Sequence, residues 1–170
     1  MVGIYEFVVV REPERGSCHA VMLTCIDYRF LRPACDLLER EGLLGTTDLI
    51  AWPGGATALL TEDAEGLLSA LELALTVHSP PMVLLVAHTD CARLGGSGRF
   101  DGIEQETAHL EAALRDAAAT VRRTSPDVRI RLVCLAGGEE KEVRFPSMPV
   151  GEATCDDPTL PFPRTWEDAR

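Results

Sequence analysis

Apolar positions in this chain fall into short continuous runs separated by stretches whose apolar residues recur at helical spacing. Residues 4–10 are apolar and β-branched, and Pro13 and Gly16 follow among charges, so 4–10 reads as an isolated arm or edge strand suited to packing on a partner subunit. Residues 19–24 read as a short buried strand through Val21, Met22 and Leu23, and 48–52 as a second strand running into Pro53-Gly54-Gly55. Residues 82–87 are almost wholly apolar, the pattern of a strand covered on both faces by helices. Residues 128–136 give a fourth strand, and 142–145 a possible fifth.

Helices fill the gaps. Pro33 suits a first turn, Leu37 and Leu38 give an apolar face, and Gly42 supplies a stop. Thr61 with Glu62, Asp63 and Glu65 marks the start of a longer helix that buries Ala64, Leu67, Leu68, Leu71 and Leu75 before Ser79-Pro80-Pro81 ends it. A glycine-rich loop through Gly95, Gly96 and Gly98 leads to a third helix, with Ile103, Leu110, Leu114, Ala117 and Val121 inward. Strands alternating with helices in this way predict an α/β fold: a mainly parallel sheet of four to five strands flanked by helices, each crossover right-handed.

The organisation predicted is one α/β domain over residues 1–145, with an N-terminal arm at 1–16 and an extended acidic tail at 146–170. The tail carries five prolines and five acids in twenty-five residues, which leaves little room for regular structure. A length of 170 residues suffices for one domain and its core without disulfide staples. The net charge of −11 repels phosphate backbones, so nucleic acid is not an expected partner. No apolar run approaches the ~20 residues of a membrane span, and residues 1–16 lack a basic stretch leading into an apolar one. The expected address is the cytoplasm, where the six cysteines stay reduced and point to metal or catalysis before disulfides.

Two of the first three core strands end in a metal-competent residue, Cys25 in Cys25-Ile-Asp-Tyr-Arg29 and His88 in His88-Thr-Asp-Cys91. With strands one and three adjacent and strand two outside strand one, the crevice at the switch point brings Cys25, His88 and Cys91 together. Two thiolates and an imidazole suit zinc, and three protein ligands leave a position for water or a carboxylate. Asp27 either takes that position or accepts a hydrogen bond from a zinc-bound hydroxide. Arg29, paired with it, would hold it ionised and off the metal.

Cys-x-Asp-x-Arg followed about sixty residues later by His-x-x-Cys resembles the β-class carbonic anhydrase family. The resemblance spans roughly residues 18–138, including Pro53-Gly54-Gly55 where that family has an Asn-Ala-Gly type turn. It implies reversible hydration of carbon dioxide to bicarbonate by a zinc lyase, with Cys25, His88 and Cys91 as ligands and Asp27 with Arg29 as a gating dyad. It also implies a 2-1-3-4 sheet with an added edge strand, and a homodimer or higher homo-oligomer.

Ala51-Trp52-Pro53 departs from the family pattern and makes the pocket wall larger and less polar. Trp52, Gly54 and Gly55 are the expected substrate-side residues, with the glycine backbone offering N–H groups to a developing anion. The apolar wall keeps open a second reading, a carbonyl sulfide or carbon disulfide hydrolase on the same zinc. A third is a non-catalytic zinc module that Asp27 closes permanently. Cys18, Cys35, Cys134 and Cys155 have no histidine at ligand spacing and read as packing or solvent residues. His78 reads as a complement to the negative end of its helix.

Overall fold

A computed structural model of the chain describes residues 17–137. The arm at 1–16, the possible fifth strand at 142–145 and the tail at 146–170 lie outside the described residues, as does Cys155. Within them, four parallel strands form one sheet: β1 (Ala20–Cys25), β2 (Thr47–Trp52), β3 (Met82–His88) and β4 (Arg129–Leu135), in the order β2-β1-β3-β4. Three helices make the crossovers: α1 (Leu31–Arg40), α2 (Ala64–His78) and α3 (Ile103–Thr124). None of these helices is long and apolar enough to cross a membrane.

The burial of each strand follows its place in the sheet. β3, which is apolar up to its final histidine, is buried at every position, and β1 at all but its last. These are the two central strands, and both their faces are covered. Alternate side chains go to opposite faces. Val21, Leu23, Val83 and Leu85 pack with Leu67 and Leu71 of α2 and with Leu110, Leu114 and Val121 of α3. Ala20, Met22, Leu84 and Val86 pack on the other face with Ala34, Leu37 and Leu38 of α1. Each such leucine contributes roughly 1.5–3 kcal/mol by leaving water. The edge strands β2 and β4 are only partly covered, and Arg131 of β4 is tied to Glu41 beyond α1 by hydrogen bonds of 2.8 and 3.1 Å.

One inward position differs from the helical periodicity. Ile103 is exposed, because it is the first residue of α3 and precedes the turn that meets the sheet. Its inward role passes to Glu106, Ala113 and Thr120 beside the expected Leu110, Leu114, Ala117 and Val121. The glycine loop before α3 folds as two short 3-10 turns, Ala92–Leu94 and Ser97–Arg99.

The topology fixes where chemistry can occur. The chain runs outward from β1 to β2, then crosses back to β3 and on to β4. The connections therefore part in opposite directions between β1 and β3, leaving a crevice at the carboxyl ends of these strands.

Candidate metal centre

Cys25 closes β1, His88 closes β3, and Cys91 caps the 3-10 turn that follows. The sulfurs of Cys25 and Cys91 and a ring nitrogen of His88 all lie within 4.8 Å of one another. Residues 63 and 66 positions apart in sequence thus meet because their strands are neighbours in the sheet.

The close approach of the next loop depends on glycine. Gly55 sits at φ +60°, and a Cβ there would lie 2.6 Å from the Val86 carbonyl oxygen and 2.8 Å from the Cys25 nitrogen. Gly54, at φ +87°, would bring a Cβ to 3.0 Å from Cγ of Arg93. Both backbone conformations are ones L side chains rarely adopt. With no side chain at Gly55, the turn lies directly against the end of β1. The Gly54 backbone then helps to stabilise the Cys25 sulfur as an anion.

The His88 ring is buried and stacked on Phe30, with centroids 4.1 Å apart. Its Nδ1 lies 2.8 Å from the Thr89 carbonyl oxygen, so Nδ1 carries the proton and donates it there. Nε2 is left with a lone pair, and among the described residues it is the buried side-chain polar atom with no hydrogen-bond partner. Burying such an atom costs about 1–3 kcal/mol unless something binds it. A metal ion held with the two sulfurs would satisfy it, and the donor set of two thiolates and a neutral imidazole matches zinc.

One of the two thiols, Cys25, is already disposed to ionise. A hydrogen bond from Cys91 lowers the Cys25 thiol to about 4; burial opposes this, and the His88 ring and the backbone at Asp27 and Gly54 reinforce it. Cys91 is pushed upward by its contact with Cys25 and then by burial. A divalent cation held by both sulfurs would favour the thiolate form of each and release the proton that Cys91 tends to keep. Burial also acts against a charged His88, but attraction to the Cys25 sulfur and the Thr89 carbonyl outweighs it and leaves the imidazole raised.

Beside the cluster, Asp27 and Arg29 form a rigid pair. Asp27 Oδ1 accepts hydrogen bonds from the Arg29 backbone N–H and from Nε, both at 3.0 Å. Asp27 Oδ2 accepts one from an Arg29 terminal nitrogen at 2.6 Å. These side-chain bonds hold the Asp27 carboxyl down to about 2. The cluster of donor atoms does not include Asp27.

Sequence reasoning missed the other half of this brace. Arg29 also donates to Asp90, at 2.8 Å to Oδ2 and 2.9 Å to the backbone carbonyl. Asp90 lies between the ligand-type residues His88 and Cys91 at φ +55°. Its N–H donates to the buried Glu106 of α3 at 2.7 Å, and Glu106 also takes the Ser97 hydroxyl at 2.7 Å. Asp90 was visible inside His-x-x-Cys, but nothing local signals that Arg29 reaches it. Glu106 had only its place in the first turn of α3.

Trp52 pairs with Cys25 in the β1–β2 register. With Ala51, Pro53, Glu62, Asp63 and Arg93 it lines a cleft of about 470 Å³. That cleft lies beside the three-donor cluster and is not lined by Cys25, His88 or Cys91. Trp52 therefore stands at the flank of the cluster, while Gly54 and Gly55 stand against it.

The chain is similar to one protein family and to several individual proteins. Residues 15–139 match the family model described as "Putative carbonic anhydrase". The uncharacterized protein RC0076 of Rickettsia conorii is 23% identical over 141 residues, covering 78% of this chain and 76% of its own length. An uncharacterized protein of Rickettsia bellii is 23% identical over 123 residues, covering 68% and 74%. Among solved structures, the b-carbonic anhydrase CafA of the fungal pathogen Aspergillus fumigatus is similar over 71% of this chain and 72% of its own, at 14% identity and a TM-score of 0.42. With that family model matching most of its length, the chain belongs to the family described as "Putative carbonic anhydrase".

Proposed function

We propose that this protein catalyses the reversible hydration of carbon dioxide to bicarbonate at a zinc ion held by Cys25, His88 and Cys91. The observation that carries the reading is the convergence of two thiols with the unpartnered His88 Nε2 in a buried crevice. Bound there, zinc would supply a Lewis acid that makes water nucleophilic near neutral pH.

The chain's own groups divide the remaining work. Arg29 occupies both oxygens of Asp27 and keeps the carboxylate ionised and outside the donor cluster. An Asp27 so held supports a metal with an open position over a closed structural site. It is also an acceptor of fixed orientation, able to align the attacking water by one hydrogen bond. Phe30 and Thr89 fix the His88 ring, so that Nε2 keeps its aim while substrate exchanges.

Stopped-flow carbon dioxide hydration near pH 8.5 tests this, using the zinc-loaded chain, the metal-stripped chain and Cys91→Ser. Hydration by the loaded chain alone is the expected result. Zinc bound without hydration would refute it. In that case turnover of carbonyl sulfide or carbon disulfide would identify the hydrolase, and inertness toward both would identify a structural zinc module.

A further inference from the structure

We propose that Cys18, Asp48 and His78 form a second metal site, for a divalent ion of the zinc class, at the end of the sheet opposite the first. One ligand-type atom from each of these residues lies within 4.8 Å of the others. The three come from separate segments: Cys18 just before β1, Asp48 on β2, and His78 as the last residue of α2. A thiolate, a carboxylate and an imidazole are the three side-chain donors that zinc takes most readily.

The topology explains the convergence. α2 returns against the direction of the strands, so its carboxyl end lies at the amino ends of β1 and β2. Asp48 pairs with Val21, on the face that packs against α2. Cys25, at the far end of β1, is four residues from Val21, about 13 Å along the strand. The two clusters are thus separate sites, and the second does not rest on the catalytic reading of the first.

Two of the three donors already touch each other, and the third is held beside them. His78 Nδ1 lies 2.7 Å from Asp48 Oδ2, and the Cys18 thiol donates to the Ala20 carbonyl at 3.2 Å. A tetrahedral ion sets such donors about 3.3–3.6 Å apart, so the Asp48–His78 contact opens by well under 1 Å to admit one. The ion takes the place of the Asp48–His78 hydrogen bond and binds Cys18 as the thiolate, so binding strengthens as pH rises. Two features favour a cation here: the negative end of the fifteen-residue α2 and the net charge of −11 on the chain. Asp48 and Cys18 are half-buried, while the His78 side chain is 52% exposed. Solvent therefore reaches the fourth position, and the ion fastens α2 to the start of the sheet.

Equilibrium dialysis of the full chain against buffered zinc, followed by metal analysis, tests the site. Two zinc ions per wild-type chain and one per Cys18→Ser/His78→Gln chain are expected. Equal zinc content in the wild type and the variant would overturn the proposal, whatever the first cluster holds. Alkylation of Cys18 by iodoacetamide, followed by peptide mass spectrometry, gives a second readout. Zinc should slow it at least tenfold in the wild type and also in Cys91→Ser, where the first cluster is broken, but not in His78→Gln. An equal rate with and without zinc in the wild type would refute the site even if the double variant did not fold.

Discussion

Arg29 joins the end of β1 to the loop that carries Cys91, since it binds Asp27 on one side and Asp90 on the other. Its removal frees Asp27 to turn toward the donor cluster and loosens Asp90 at the same time. Arg29→Ala should lower kcat/KM for hydration about 10–100-fold, the usual cost of losing an outer partner of a metal site, with the ion at Cys25, His88 and Cys91 retained. Unchanged hydration would remove Arg29 from the mechanism. Asp27 gives a matching pH signature. Its carboxyl is lowered to about 2 in the fold against about 3.9 in an unfolded chain. The fold therefore binds this proton more weakly than the unfolded state does. The stability it contributes is complete above about pH 4 and is lost as pH falls toward 2. Urea unfolding between pH 5 and pH 2.5 should show a smaller decline in Asp27→Asn than in the wild type.

At the scale of elements, the strand ends and the turns after them set the precision of the site. Gly55 is the tightest of these joints. Gly55→Ala adds a methyl group against the Val86 carbonyl and the Cys25 nitrogen in a backbone conformation that itself costs an L residue roughly 1–2 kcal/mol. With overpacking, the loss should reach about 2–4 kcal/mol, read from chemical denaturation, and zinc affinity should fall because Cys25 must move. Wild-type stability and affinity in this variant would show that the turn has more room than its backbone contacts allow. Much of this level was legible beforehand. The apolar run of β3 declared a strand covered on both faces, and Cys-x-Asp-x-Arg with His-x-x-Cys declared the first cluster, because each motif is short enough to be fixed by one strand end. The Arg29–Asp90–Glu106 chain was not, since it joins β1, the loop after β3 and α3 through side chains that meet only after folding. Ile103 was misplaced for a related reason: helical periodicity describes a face, and the first turn of α3 lies beyond the surface that the face covers.

Across the whole molecule, the parallel sheet gives two ends of different chemistry. The carboxyl ends of β1 and β3 gather Cys25, His88 and Cys91 in a buried crevice, and the amino ends of β1 and β2 gather Cys18 and Asp48 beside His78 in a shallower one. The second grouping escaped sequence reading because its members are about thirty residues apart, with no short motif to join them. The strand order β2-β1-β3-β4 is the feature on which both depend. The central claim is that Cys25, His88 and Cys91 bind one zinc ion together. The zinc-edge X-ray absorption spectrum of the Cys18→Ser/His78→Gln chain, loaded with one ion, tests it most directly. Two sulfur neighbours and an imidazole nitrogen are predicted, with one sulfur lost when Cys91→Ser is added. A shell without sulfur, or one that Cys91→Ser leaves unchanged, would contradict the account.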